Sequence, residues 1–369
     1  MLLRGVCFKN MRFNHNLLMI PGPVTTSKRV KYEVAKDNGS RDDSFVEKIK
    51  YIRESLLHIV NANNKNYSAV LMQGSGTFAN ESVLGSLPNN SYLGVFSNGV
   101  YGDRLYDIAK TLNIKSDIIN FDHAKQINKD MVEPYIKKFS HIAMVHNETT
   151  LGTLNDIENI AKITKKNNKV FIVDAISSMG GIPIDVENTN IDYLIGSSNK
   201  CLHSFPGLSI IIGKKVLLQE YKTSKSLSLN LYDQWIEFEK TDQFRYTPPV
   251  QIVNSLHESI HELLKDGGVE ARHKKYKKFN EIVRYQIEKI GMKSIVDKSS
   301  QGPIVSSFYY PYKNFSYNEL YKRLLKHNII IYTSQYKNEN VLRLGNIGHI
   351  SEKELYYILE KIKEEITSM

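Results

Sequence analysis

From Leu17 to about Gly213, short apolar runs alternate with amphipathic segments, and this alternation constrains the fold more than any other feature of the chain. Runs at 69–72, 93–96, 117–119, 141–146, 170–173, 193–196 and 208–212 read as strands, with helical patterns such as 104–112 and 157–166 between several of them. Strand–helix–strand repeats join parallel strands, and near-continuous apolar runs belong to strands buried on both faces. The expectation is an α/β domain whose mainly parallel sheet is covered by helices on both sides.

The pattern changes after about Val250. Two long helices are expected at 251–265 and 269–290, broken by Asp266-Gly267-Gly268, followed by strands at 304–308, 329–332 and 341–344 and helices at 317–327 and 352–366. In the last helix Leu355, Ile358, Leu359, Ile362 and Ile366 share one face. With 369 residues, 41% of them hydrophobic, the chain is long enough for two cores. We therefore expect a large domain over 17–255 and a smaller α+β C-terminal domain over 256–369.

Residues 1–16 form an N-terminal extension without clear period, and its apolar core is too short for a secretory signal. Met11 is an alternative start, and a chain beginning there is expected to keep its activity. No apolar run is long enough to span a bilayer. The net charge of +10 is spread along the chain, with short clusters such as His273-Lys274-Lys275-Tyr276-Lys277-Lys278. That cluster reads as a solvated helix face, not a nucleic-acid stripe, although the excess favours anionic ligands by steering. Cys7 and Cys201 fit neither a metal pattern nor a disulfide framework; Cys201 reads as a small packing residue, and a reduced, cytoplasmic location follows.

The chemistry sits at strand ends. Asp174 closes the run Val170-Phe171-Ile172-Val173, and Lys200 follows a later one in Gly196-Ser197-Ser198-Asn199-Lys200. An acid and a lysine so placed match pyridoxal phosphate chemistry: the amine forms a Schiff base with the cofactor aldehyde, and the acid pairs with the pyridinium nitrogen. Either residue alone reads as a loop or turn residue; their order and spacing, with the neighbouring motifs, favour the cofactor. Gln73-Gly74-Ser75-Gly76-Thr77 stands between a strand and a helical pattern; it reads either as a common Gly-Ser-Gly turn or as glycines at a helix N-terminus that receive the phosphate of a nucleotide or cofactor. It is neither a dinucleotide fingerprint nor a P-loop. In Ser97-Asn98-Gly99-Val100-Tyr101-Gly102-Asp103-Arg104, Tyr101 is either a ring-stacking aromatic or a core residue. His146-Asn147-Glu148-Thr149-Thr150 ends another strand, at the edge where open α/β sheets bind ligands, with no metal-ligand spacing around His146. Arg343, in the apolar run Val341-Leu342-Arg343-Leu344, has two readings: it meets an anionic ligand or a buried acid.

These residues resemble the class V group of fold type I, pyridoxal phosphate-dependent aminotransferases. The matching blocks are Leu18-Met19-Ile20-Pro21-Gly22-Pro23-Val24-Thr25-Thr26, Val70 to Thr77, His146 to Thr150, Ser198-Asn199-Lys200-Cys201, Ser226 to Trp235, and Arg343-Leu344-Gly345-Asn346-Ile347-Gly348, and they span the chain from about Leu17 to its end. The Tyr232-Asp233-Gln234-Trp235 and Arg343 blocks are the more specific, to members that act on an aminophosphonate. The resemblance implies transamination of 2-aminoethylphosphonate with pyruvate in a cytoplasmic homodimer with shared active sites. It implies that Lys200 holds the cofactor and transfers protons, and that Asp174 pairs the ring nitrogen. Tyr101 stacks on the ring, and Thr149 contacts its hydroxyl. Ser75, Gly76, Thr77 and Asn199 bind the phosphate, with Thr247 reaching it from the second subunit. Arg343 binds the anionic end of the substrate, helped by Gly22 and Thr25. An alanine- or serine–glyoxylate aminotransferase on the same scaffold is the nearest alternative, and a non-enzymatic anion- or nucleic-acid-binding protein a remote one. The chain departs from the family after the lysine, with Cys201-Leu202-His203-Ser204-Phe205-Pro206-Gly207-Leu208 where Cys-Ile-Gln-Gly-Val-Pro-Gly-Phe is usual, and at Phe244, where tryptophan or tyrosine is common.

Overall fold

The computed structural model describes Phe13, residues 15–337 and residues 339–369. Its strands are, in order, β1 (Leu17–Leu18), β2 (Tyr67–Gln73), β3 (Leu93–Ser97), β4 (Ser116–Asn120), β5 (His141–Val145), β6 (Asn147–Glu148), β7 (Thr153–Leu154), β8 (Val170–Asp174), β9 (Tyr193–Ser197), β10 (Leu208–Lys214), β11 (Val305–Tyr309), β12 (Ile329–Ile330), β13 (Tyr332–Tyr336) and β14 (Glu339–Gly345).

A seven-stranded sheet runs β2-β10-β9-β8-β5-β3-β4. The pairs from β9 through β8, β5 and β3 to β4 are parallel, and β10 lies antiparallel between β9 and β2. The one reversed strand has a local cause. Only the loop 198–207 separates β9 from β10, and a parallel return would need a crossover of a dozen residues or more. Every residue of β3, β5 and β9 is buried, which is why those strands appear as unbroken apolar runs. Helix Gly76–Gly85 packs against β9 and β10, Val100–Thr111 against β3 and β4, and Ile157–Lys166 against β8.

The C-terminal part builds a second core. Strands β11-β14-β13 form an antiparallel sheet, and β1 pairs in parallel with β12. Leu17 and Met19 are therefore buried with Phe308, Leu342, Ile358 and Ile362, far along the chain. Helix Gly268–Lys289 joins the two halves: Val269 enters the large core, Tyr276 packs with Cys201 and Ile347, and Phe279, Val283 and Ile287 enter the second core. On that helix Lys274, Lys277 and Lys278 are exposed, which makes the basic cluster a solvated face. Helix Glu352–Thr367 starts at a capping box in which the Ser351 hydroxyl accepts from the Glu354 N–H while Glu354 accepts from the Ser351 N–H.

The expected strand 329–332 divides in two, β12 and β13, with buried Ile331 between them. Most of β13 is exposed, so it lacks the apolar signal that marks the others. The expectation about residues 1–16 falls largely outside the described residues. Of that segment, Phe13 sets its ring edge-on against Tyr357 at 5.1 Å, its carbonyl accepts from Asn328 Nδ2 at 2.7 Å, and His15 Nε2 lies 3.3 Å from Glu354. Among the described residues no helix is long and apolar enough to cross a membrane.

Candidate active site

Register places Val145 of β5 beside Asp174 of β8, and Asp174 beside Ile195 of β9. Residues that follow these strands therefore face one space at the carboxyl edge of the sheet. A cavity of about 230 Å³ lies there, and Ser75, Gly76, Thr77, Tyr101, Thr149, Asp174, Asn199 and Lys200 all line it. Segments far apart in sequence are brought together as the strand-end argument expects.

Lys200 Nζ donates to the carbonyl of Pro21 at 3.0 Å. Burial pushes its pKa down to about 8, Arg343 and Arg104 acting in the same direction and Cys201 and Asp174 against it. Gly22 has φ +122°, and a Cβ there would lie 2.4 Å from Lys200 Cδ, so glycine gives the lysine its room. Asp174 is 4% exposed. Its Oδ2 accepts from Asn80 Nδ2 at 2.7 Å and its Oδ1 from the Ile176 N–H at 2.9 Å. Burial raises its pKa, while the Asn80 and Ile176 hydrogen bonds oppose the rise.

Ser75 is the N-cap of helix Gly76–Gly85, yet its hydroxyl makes no capping bond. The first N–H groups of this helix and the Ser75 and Thr77 hydroxyls form an anion-receiving end of the cavity. Gly76 packs so closely that a Cβ would lie 2.4 Å from Ile176 Cδ1. The Arg104 guanidinium lies 5.0 Å from the centre of the Tyr101 ring, on the cavity wall.

Arg343 Nη1 donates to the Thr149 carbonyl at 2.8 Å, and its Nε is buried without a partner. Among the described residues no acid lies within 4 Å of Arg343, so the salt-bridge reading of its burial has no counterpart here. Thr25 is not brought to the cavity: its Oγ1 accepts from the Leu18 N–H at 3.1 Å and its carbonyl from the His349 N–H at 2.7 Å, which ties two chain segments together. Thr247 is exposed and does not line the cavity within one chain. His146 is a hydrogen-bonded strand-end residue: its Nδ1 meets Ser178 Oγ at 2.9 Å, and burial lowers its pKa to about 3.

The sequence reading gave no individual role to Asn80, Arg104, Asn147, Ser177 and Ser197, which stand on the cavity wall. Asn80 stands one helical turn beyond Gly76, and Arg104 one turn beyond Tyr101, so helical period from the assigned residues points to both. Ser177 follows Asp174 in an irregular segment that carries no period.

The residues present fit pyridoxal phosphate. Asp174 is a buried carboxylate met only by neutral donors, which is incomplete without a cationic ring nitrogen. Asn80 Oδ1 and Asn147 Oδ1 on the wall are buried and unpaired. The anion-receiving helix start, the aromatic wall and the lysine lie around the same space.

The chain belongs to the class V aminotransferase family, which it matches over residues 25–335. Its mostly parallel sheet with flanking helices is the fold type I architecture. Among curated proteins it is similar to the 2-aminoethylphosphonate–pyruvate transaminase of Phocaeicola vulgatus, at 38% identity over 355 residues, 94% of this chain and 98% of that one. A Bacillus cereus protein of the same name is 38% identical over 358 residues, covering 95% and 98%. Among solved structures, alanine–glyoxylate aminotransferase from Nostoc sp. superposes with a TM-score of 0.88 at 18% identity, covering 98% of each chain. Ureidoglycine–glyoxylate aminotransferase from Bacillus subtilis gives 0.87 at 20%, covering 98% of this chain and 95% of the other. At such identities the superpositions establish the shared fold.

Proposed function

We propose that the chain is a pyridoxal phosphate-dependent transaminase that moves the amino group of 2-aminoethylphosphonate to pyruvate, giving phosphonoacetaldehyde and L-alanine. The observation that carries this reading is the convergence of Lys200, Asp174, Tyr101 and the Ser75–Thr77 helix start on one cavity. Similarity to proteins named for this reaction, along nearly the whole chain, supports the substrate pair.

Bound pyridoxal phosphate supplies an aldehyde that takes up the amino group and a ring that draws electrons from the adjacent carbon. Lys200 Nζ would anchor that aldehyde and is the amine placed to carry the proton of the substrate's nitrogen-bearing carbon. An amine with its pKa near 8 is in part neutral at neutral pH, which this proton transfer requires. Asp174 would keep a proton on the ring nitrogen. Tyr101 would hold the ring face and Thr149 its hydroxyl, while Ser75, Gly76, Thr77 and Asn199 would take the phosphate. Arg343 takes the phosphonate in one half-reaction and the pyruvate carboxylate in the other, through the fork that Thr149 leaves partly open. Gly22 keeps Lys200 free to move.

A homodimer with Thr247 reaching the phosphate of the partner's site belongs to the same proposal. Phe78, Val100, Leu227 and Tyr246 support it, as large side chains left 46–76% exposed on segments near the cavity and Thr247. A cytoplasmic location is also part of the proposal, supported by Cys201 as a free buried thiol. We also propose the division into 17–255 and 256–369, supported by two separate cores, with Leu17 and Met19 crossing into the second and Leu256, Ile260, Leu263 and Val269 into the first.

An amino-donor screen with pyruvate and glyoxylate as acceptors tests the reading. The expected result is a yellow protein for which 2-aminoethylphosphonate with pyruvate gives the highest kcat/KM. Equal or better values for β-alanine with pyruvate, or for alanine or serine with glyoxylate, would move the enzyme elsewhere in the family. Full activity from a strictly monomeric species in analytical ultracentrifugation would remove the shared site.

A further inference from the structure

Glu148 is completely buried beside the cavity, and no step above uses its carboxylate. Both of its oxygens are filled by donors. Oε2 accepts from the N–H groups of Tyr101 and Gly102, each at 3.2 Å. Oε1 accepts from the Thr150 N–H at 3.0 Å and the Thr150 hydroxyl at 2.7 Å. Thr150 Oγ1 in turn accepts from the Val100 N–H at 3.0 Å.

Val100, Tyr101 and Gly102 are the first three residues of helix Val100–Thr111, and their N–H groups have no carbonyl partner inside the helix. The N-cap is Gly99, which has no side chain to offer. Glycine stands there because the capping group arrives from elsewhere: a Cβ on Gly99 would lie 2.5 Å from Glu148 Cδ and 2.7 Å from Thr150 Oγ1. This helix is thus capped in trans by a carboxylate and a hydroxyl from the segment that follows β5. The charge suits the place, since a helix N-terminus favours an anion. Burial pushes the pKa of Glu148 up, the Thr150 and Gly102 donors oppose the rise, and Asp174 adds to it.

The consequence for the site is geometric. Tyr101 takes its place on the cavity wall from the first turn of this helix, and Asn147 and Thr149, the chain neighbours of Glu148, form another part of the wall. The Thr149 carbonyl also holds Arg343. We infer that Glu148 is a positioning residue for the cofactor ring: one carboxylate locks the aromatic wall at Tyr101 to the segment that carries Thr149 and anchors Arg343. The inference rests on the cofactor reading above and adds a residue to it that touches neither cofactor nor substrate.

Glutamine separates this role from mere volume. Its amide has one oxygen, so whichever way it turns, an NH₂ faces either the Tyr101 and Gly102 N–H groups or the Thr150 donors. Holoenzyme carrying Glu148→Gln is compared with wild type by visible circular dichroism of the bound cofactor, cofactor affinity by equilibrium dialysis, kcat and KM for both substrates, and thermal midpoint. We expect the borohydride-reducible link at Lys200 to persist, the cofactor dichroism to fall to half or less, and kcat in both half-reactions to fall ten- to a hundredfold. A purely structural role would lower the thermal midpoint and leave the dichroism of the folded enzyme unchanged, and that result overturns the inference. Thr150→Val removes the hydroxyl that relays Glu148 to Val100 and serves if the glutamine variant does not fold; it should shift the dichroism in the same sense by less, and an unchanged band overturns the inference equally. A wild-type protein with no cofactor band and no reducible link would instead sink the cofactor reading beneath it.

Discussion

The two ends of the main sheet carry the same kinds of charged residue in opposite condition. At the end where β2 and β9 begin, Arg53 and Asp192 are matched by opposite charges. The five donors of Arg53 go to the Ala69 and Phe238 carbonyls, the Ser68 hydroxyl, Glu239 and Asp242. Lys214 lies 2.6 Å from Asp192, which also accepts the Phe171 N–H at 2.8 Å. At the end where β5 and β8 stop, Lys200, Asp174 and Arg343 have no ion-pair partner among the described residues. Lys200 donates to a carbonyl, Asp174 accepts from amides, and Arg343 leaves Nε unused. A closed set of ion pairs holds a fold together, whereas buried charges without partners wait for ligands of opposite sign. The difference teaches where to look for chemistry: at buried charge that is unspent, not at buried charge as such.

The comparison breaks if mutations at the two ends have similar consequences. The largest effect is expected for Lys200→Ala, which should cut turnover by at least about a thousandfold, since anchor and proton carrier are lost together. Its thermal midpoint should hold or rise, because the substitution removes an ammonium that burial already disfavours. A borohydride-reducible adduct with near-normal rate in that variant would refute the role given to Lys200.

Asp174→Asn should come next, at roughly a hundred- to ten-thousandfold in kcat, because an amide cannot hold the ring nitrogen in its cationic form. Steady-state kinetics that put the loss into KM alone would contradict this. At the opposite end Arg53→Met should leave kcat within a factor of two and lower stability by about 2–3 kcal/mol, less than a fully buried network because Glu239 and Asp242 are partly exposed. Urea denaturation checks it, and a stability change near zero would make the matched end mere decoration.

The smallest effect concerns pH. Only a neutral amine attacks an aldehyde, so covalent capture of pyridoxal phosphate by cofactor-free protein should speed up as pH rises through about 8, the value to which burial and then Arg343 bring Lys200. Arg343→Gln removes the second of these causes and should move the midpoint upward, toward the ordinary lysine value, by less than about one unit. A downward or absent shift in stopped-flow absorbance would show that the arginine does not act on the lysine.

Much of this was legible in the chain. Fully buried strands announce themselves as apolar runs, and the residue after each run lies at a sheet edge; Lys200, Asp174 and the Ser75–Thr77 turn were therefore visible before any contact was known. β13 was not, because an exposed strand has no apolar period. Thr25 stood in a motif next to the lysine's neighbours, yet it faces Leu18 and His349, since a loop's direction depends on what it packs against. The same holds for Glu148: its carboxylate caps a helix that begins dozens of residues earlier, and only the parallel pairing of β3 with β5 brings the two together. Local burial and backbone preference write themselves into sequence as period and punctuation. Contacts between distant segments leave no such period, so which strand ends meet, which charges stay unmatched and which glycine yields its cap to a carboxylate were decided by the tertiary structure alone.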